Sequence, residues 1–338
     1  MIFKTLVTYT KEINQKKRTI IRRVADCSCY FKSGLYVIDC ATKIIYKFGC
    51  RKYHKLEQTH TLSGVKSIKN KHTFFHSFLS KRIVRFKNKK RAANTYIIGI
   101  LSYDHVIFLD PKNEKVLTHY DSPVKRNDVF NRRQLLLKEH FNLPHLLVTK
   151  EQNKNIIEEK YIKKQDYDPE KGFCSLLDFY IKKEYCDHFK MDAADLDKLF
   201  SLTQRKLDNA FTCLLSSKCL QQIVSHGDCN YFNYIFDGES FFFIDYDRAG
   251  THFFFCDCFF YIFWQYYILN DSSLIENCLN GKYDCLFTSL FERFDAQYNN
   301  KFIYIYILLT IYDVSDWEGN IDMINSLERL ATKYDEKQ

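Results

Sequence analysis

The chain has 338 residues, 46% of them hydrophobic and 27% charged, long enough to bury one large core or two modest ones, which excludes a small scaffold dependent on staples. Its thirteen cysteines are scattered and odd in number, and neither Cys27/Cys29 nor Cys256/Cys258 has the CxxC spacing of a closed zinc site, so they read as reduced thiols of a cytoplasmic protein. The net charge of +9 is uneven: residues 1–91 hold 23 Lys+Arg against 4 Asp+Glu, and the remaining 247 residues are acidic on balance, a split that predicts an anionic partner for the first quarter or, more plainly, a solvated basic face.

The first residues mix apolar and basic side chains without an apolar core or a cleavage signal, so no secretory leader is expected there. Gly34 to Ile38 and Lys43 to Phe48 predict a hairpin, both rich in β-branched and aromatic residues. The basic cluster at 87–91 interrupts the pattern and sets a loose boundary, giving a basic N-terminal segment 1–91 that is either part of the neighbouring β-rich lobe or an extension of it. Strands are predicted at Tyr96 to Leu101, His105 to Leu109 and Lys115 to His119, the last two joined by the AspProLysAsn turn at 110–113. A helix from Val129 to Phe141 ends near Pro144, and residues 156–162 predict one more strand.

From Gly172 onward the period is helical, over Phe173 to Glu184, Ala193 to Leu215, Cys219 to Val224 and Phe253 to Leu269. Two short strands, Tyr234 to Phe236 and Phe241 to Ile244, bracket an AspGlyGluSer turn. The Phe253 to Leu269 stretch approaches membrane-spanning length but contains Asp257, and a carboxylate at the bilayer centre costs about 3 kcal/mol, so a buried globular helix is expected. The expected fold class is α+β, with a β-rich small lobe at 92–162 and a helical large lobe at 163–338.

The residues that carry chemistry flank that hairpin: HisGlyAspCysAsnTyrPheAsn at 226–233 and IleAspTyrAspArgAlaGly at 244–250. Phosphoryl transfer needs a carboxylate beside the attacking hydroxyl and oxygen ligands for a cation that neutralises the phosphates. Asp228 supplies the first, and the hairpin returns Asp245 towards Asn233 to supply the second. HisGlyAsp with Asn five residues after the Asp, then IleAsp, Gly250 and Asp257, resembles the aminoglycoside phosphotransferase and choline kinase superfamily, which has a bilobal protein-kinase-like fold. The IleAspTyrAspArgAla segment is also similar to bacterial lipopolysaccharide core kinases.

This resemblance implies a kinase with ATP as donor and Mg²⁺ as cofactor. It implies Asp228 as catalytic base, Asn233 and Asp245 as Mg²⁺ ligands, and His226, Gly227 and Asp257 as residues that hold the loop. On the small lobe it implies a phosphate-binding lysine. The strand at 115–120 has Thr118 and His119 where that lysine is expected, which leaves Lys115 at the strand entrance, with Lys125 competing. Glu139 is a late candidate for the lysine's partner, with a solvated position as the alternative. The same comparison makes Glu158 to Tyr161 the hinge, with Glu159 and Tyr161 facing the nucleotide, and sets Asp247 and Arg248 near the acceptor or in a surface ion pair.

Three functions compete. The first is phosphorylation of a saccharide hydroxyl, as in a lipopolysaccharide or other surface glycan, by an enzyme resting on the inner face of a membrane through residues 1–91. The second is a soluble small-molecule kinase for choline, an aminoglycoside or a free sugar. The third is an inactive kinase-like binding module. No nucleic-acid motif is visible, which disfavours nucleic acid as the partner of the basic segment.

Overall fold

The computed structural model describes residues 34–39, 44–47, 81–86, 98–101, 105–110, 113–147, 155–184, 189–190, 221–314 and 325–327. The chain divides into two units, one of Met1–Asp128 with Pro144–Lys163 and one of Val129–Leu143 with Lys164–Gln338.

The first unit is built on a seven-stranded sheet in the order β3-β1-β2-β4-β5-β6-β7. Its strands are β1 (Gly34–Asp39), β2 (Ile44–Lys47), β3 (Lys81–Phe86), β4 (Ile98–Leu101), β5 (His105–Asp110), β6 (Lys115–Tyr120) and β7 (Ile156–Lys160). Every neighbouring pair is antiparallel. The basic N-terminal segment contributes β1 to β3 to this sheet, joined through β2 and β4 with Ile44 opposite Ile100. Tyr36, Ile38, Ile45, Val106, Phe108, Leu117 and Ile157 are buried, as expected of strands presenting one apolar face to a core. The turn between β5 and β6 is pinned by Asp110, which accepts from the Asn113 side chain at 2.6 Å and from its backbone N–H at 3.2 Å.

Helix α1 (Pro123–Lys138) begins six residues before the predicted Val129. Pro123 opens it, where a missing N–H costs nothing, and the Ser122 hydroxyl accepts the Lys125 N–H at 3.2 Å, so the start is set by a cap outside the apolar stripe. Val129, Arg133 and Leu136 form the buried stripe.

The second unit holds a three-stranded sheet, β12-β9-β8, and a separate hairpin of β10 and β11. These are β8 (Phe189–Lys190), β9 (Gln221–Ser225), β10 (Tyr234–Phe236), β11 (Phe241–Phe243) and β12 (Gly250–Phe253). Its helices are α2 (Pro169–Lys182), α3 (Cys256–Leu269), α4 (Ser273–Leu279), α5 (Asp284–Glu292) and α6 (Ile303–Val314). The expected helix at Cys219 to Val224 is instead strand β9, because Ile223 and Val224 are β-branched and pair with His252 and Thr251 of β12. A six-residue segment is too short for its period to separate the two states. Likewise Phe253 ends β12, and α3 starts only at Cys256. The expected helix at Ala193 to Leu215 lies outside the described residues.

Asp168 caps α2 by accepting the Glu170 N–H at 2.9 Å, with Pro169 in the first turn. A Cβ on Gly172 would lie 2.4 Å from the Tyr167 ring and 2.6 Å from the Tyr261 hydroxyl, so glycine permits the close approach of α2 to α3. Helix α3 is buried continuously from Cys256 to Gln265 and stops at Asn270, whose φ of 56° is left-handed. Its Phe259 stacks on Phe287 of α5 with centroids 4.8 Å apart and on Tyr306 of α6 at 5.2 Å. Such ring pairs contribute about 0.5–1.5 kcal/mol each beyond the area they bury. Among the described residues no helix is long and apolar enough to cross a membrane.

Candidate active site

Strand β9 delivers the chain to His226, and the loop beyond it is fixed from below by Asp257 in the first turn of α3. Asp257 Oδ2 accepts the His226 N–H at 2.8 Å and Oδ1 accepts the Gly227 N–H at 2.9 Å. The Tyr180 hydroxyl of α2 donates to the same carboxylate. A buried carboxylate is tolerable only with such donors, and its place at a helix N-terminus adds to them. Gly227 has φ 74°, and a Cβ there would stand 2.4 Å from the Arg248 carbonyl oxygen and 2.5 Å from His252 Nε2, so no other residue fits without moving backbone. His226 is fully buried, its Nε2 2.9 Å from the Ile244 carbonyl. Burial lowers its pKa, which keeps the ring neutral with Nε2 as the donor, a structural tie between the two loops.

Asp228 comes next, partly buried but with an accessible edge. Asn230 Nδ2 donates to its Oδ1 at 3.2 Å and Asn233 Nδ2 to its Oδ2 at 3.2 Å. Both amides also reach the Asp228 carbonyl, at 3.1 and 3.0 Å. Burial pushes the Asp228 carboxyl up to about 6, against the opposing pull of Arg248 and of the two amides. That value suits a base working near neutral pH. Asn230 is not among the residues the sequence pattern singles out, although an Asn two residues after an Asp in a tight loop is a turn signal. Its own Oδ1 accepts the Phe232 N–H at 2.9 Å, closing an Asx turn that shapes the loop.

The hairpin brings the second loop alongside. Tyr234 pairs with Phe243, and the Ile244 N–H donates to the Asn233 carbonyl at 2.8 Å, extending the ladder one rung to the residue before Asp245. Asp245 is exposed and left-handed, with φ 62°, a conformation uncommon for a residue with a Cβ and one that gathers at functional sites. Asn233 spends its amide nitrogen on Asp228, which turns its oxygen away from that carboxylate. The Asn233 amide and the Asp245 carboxylate would offer oxygen donors only, the chemistry that fits Mg²⁺. Arg248 donates to the Val314 carbonyl at 2.8 Å.

Lys164, equally silent in the sequence pattern, lies against this loop. Its ammonium is 4.0 Å from the centre of the Tyr231 ring and 5.1 Å from that of Phe232, and donates to the Tyr231 carbonyl at 3.2 Å. Burial lowers its pKa to about 8.

In the first unit, Lys115 opens β6 and pairs with Glu158 at 2.7 Å. Glu159 lies inside the sheet, opposite Val116 on one side and bridged to Leu146 on the other. Tyr161 has left the strand, its N–H donating to the Glu114 carbonyl at 2.8 Å, and burial raises its hydroxyl to about 12. Glu139 is not solvated: it pairs with Lys183 at 3.3 Å, both side chains 1% exposed. Lys183 also sits 4.6 Å over the Phe141 ring, so Glu139, Phe141 and Lys183, all of the second unit, pack together within its core.

No family model matches the chain, and no curated protein sequence matches it significantly. Among solved structures it is similar to the aminoglycoside phosphotransferase APH(3'')-Id of Streptomyces rimosus, at 11% identity and a TM-score of 0.40, over 62% of this chain and 90% of that one. The amicoumacin kinase hAmiN, solved with AMP-PNP, Ca²⁺ and amicoumacin, gives 11% identity and 0.40 over 71% and 88%. Choline kinase LicA of Streptococcus pneumoniae gives 13% and 0.37 over 68% and 91%.

Proposed function

We propose that this protein is a phosphotransferase that moves the terminal phosphoryl group of ATP to an alcohol, with Asp228 as the base that orients the acceptor hydroxyl and takes its proton. The observation that carries this reading is the geometry around Asp228: both its oxygens are held by the Asn230 and Asn233 amides, and the bond from the Ile244 N–H to the Asn233 carbonyl brings the residue before Asp245 alongside. The upward shift that burial gives the Asp228 pKa is in keeping with a base. Asn233 and Asp245 would hold Mg²⁺, which supplies charge neutralisation of the phosphates when bound. Lys115, Glu159 and Tyr161 are assigned to the nucleotide. With Glu159 inside the sheet, the backbone just beyond β7 is the better partner for a purine edge. Asp247 and Arg248 are assigned to the acceptor side.

The acceptor proposed is a saccharide hydroxyl, as in a lipopolysaccharide or other surface glycan. The basic excess of residues 1–91 supports a lipid-linked acceptor, since each Lys or Arg near an anionic surface contributes about 1 kcal/mol. A soluble amino alcohol or aminoglycoside is the second reading, supported by the acidic balance of residues 92–338.

The test is single-turnover transfer from labelled ATP by the wild type and by Asp228→Asn, alongside nucleotide titration. The expected result is nearly intact nucleotide binding and transfer slowed about 10²- to 10⁴-fold, the usual contribution of a positioned base. Undiminished transfer by a folded variant would remove Asp228 from the chemistry. Offering a glycolipid extract, choline and an aminoglycoside in parallel identifies the acceptor class.

A further inference from the structure

Beside the loop, but using none of the residues assigned to catalysis or to Mg²⁺, three side chains from three elements converge. They are His252 of β12, Cys256 at the first position of α3, and Asp313 in the last turn of α6. Their donor atoms all lie within 4.8 Å of one another. We propose that His252, Cys256 and Asp313 form a site for a borderline-soft divalent cation of the Zn²⁺ class, which clips β12 and the two helices together beneath Gly227.

Two of the three donors, His252 and Asp313, are each held by one atom so that the other faces the cluster. The His252 Nε2 is 2.9 Å from the Arg248 carbonyl, a contact in which Nε2 donates, so Nδ1 is the nitrogen left to face the cluster. That nitrogen is buried, 3.5 Å from Asp313 Oδ1; burial lowers the His252 pKa and the Asp313 carboxylate raises it, with the net shift upward, so a cation binding there takes the place of a proton shared with Asp313. Metal-binding imidazoles are characteristically fixed in this way, by a carbonyl that holds the nitrogen facing away from the ion. Asp313 is held by its other oxygen, which accepts the Phe253 N–H at 2.7 Å, so Oδ1 faces the cluster. Cys256 is fully buried; at the start of a helix its thiolate form is favoured by the backbone dipole once a cation is present.

Nitrogen, sulfur and carboxylate oxygen in one set select zinc over Mg²⁺, which takes oxygen alone. With metal–ligand bonds of about 2.0–2.3 Å, tetrahedral donors stand roughly 3.3–3.7 Å apart, so closure about the ion needs movements on the order of an ångström. His252 and Asp313 side chains keep 12% and 10% of their surface accessible, enough for a water as fourth ligand. The consequence reaches the loop, because His252 Nε2 occupies the space where a Gly227 side chain would be: a cation fixing His252 fixes the backing of the HisGlyAsp turn.

The test uses the full chain, reduced and stripped with a chelator. Zn²⁺ is titrated in competition with a chromogenic indicator, and Co²⁺ is used as a spectroscopic stand-in. One equivalent of either ion is expected to bind and raise the melting temperature, Co²⁺ with a thiolate-to-metal charge-transfer band. Cys256→Ser should abolish that band, Asp313→Asn should weaken Zn²⁺ binding by at least about 10- to 100-fold, the loss that even an outer-shell partner causes, and Cys285→Ser, at an exposed thiol, should change nothing. Circular dichroism establishes that each variant is folded; should Cys256→Ser not fold, Asp313→Asn alone decides. Absence of a stoichiometric site in the wild type, or a band and affinity that survive both ligand substitutions, would overturn the proposal and leave His252 and Asp313 as a bare ion pair.

Discussion

At the scale of single residues, burial costs the loop stability at one carboxyl, and hydrogen bonding recovers it at another. Burial raises the Asp228 carboxyl from its ordinary value of 3.8 to about 6. The folded state therefore binds the proton more tightly than the unfolded chain does, and the stability associated with that proton is lost as pH rises from about 4 to about 6. Two pH units correspond to at most about 3 kcal/mol, and the accessible edge of the side chain discounts this to about 1–2 kcal/mol. Asp228→Asn is thus expected to melt higher than the wild type at pH 7 and not at pH 4, while transfer is slow at both. Wild-type transfer should rise with pH through about 6 and then level, read from single-turnover rates. Asp257 holds the loop through the donors gathered around it. Replacing it with Ala strands the N–H groups of His226 and Gly227 and the Tyr180 hydroxyl without their acceptor, and should cost about 3–5 kcal/mol in denaturant unfolding, with loss of transfer.

At the scale of elements, β9 shows where local pattern stops deciding. QQIVS at 221–225 is strand because β12 and β8 lie on either side of it with antiparallel registers. The buried pair of Glu139 and Lys183 helps to hold it, since the lysine also donates to the Val224 carbonyl at 3.5 Å. Removing one partner leaves an uncompensated buried charge, so Lys183→Met should destabilise by about 3–5 kcal/mol. The double variant Lys183→Met with Glu139→Gln should recover a large part of that loss. A double-mutant cycle in urea measures both; equal destabilisation by the single and double changes would mean that the lysine's other contacts, to Val224 and the Phe141 ring, dominate.

At the scale of the whole molecule, the described strands of residues 1–91 are part of the first unit's sheet and not an appendage. Deleting them would strip β4 of its partner β2 and expose an unpaired edge, so the basic segment is better tested in the intact chain. The full-length protein is expected to bind vesicles containing phosphatidylserine and to be released as ionic strength rises past the point where the Debye length falls to about 8 Å. Binding that is absent at low salt, or that ignores salt, would separate the charge from any membrane role.

What the sequence determined by itself is what short-range chemistry encodes. HisGlyAsp with Asn233 five residues on, IleAsp at the end of a strand and Asp257 twelve residues later are fixed by turn geometry, by a glycine at φ 74° and by a two-strand hairpin, all written within about thirty residues. The hairpin strands and the burial of α3 were legible for the same reason, because a run of aromatic residues has few places to go but a core. Only the tertiary structure decided the state of β9, the early start of α1 at its Ser122 and Pro123 cap, the burial of Glu139 against Lys183, and the convergence of His252, Cys256 and Asp313. Each depends on partners distant in the chain or on how much water a group retains. A residue type and its near neighbours carry no record of either; the value of about 6 at Asp228 is set by the protein packed around it, not by the tripeptide that contains it.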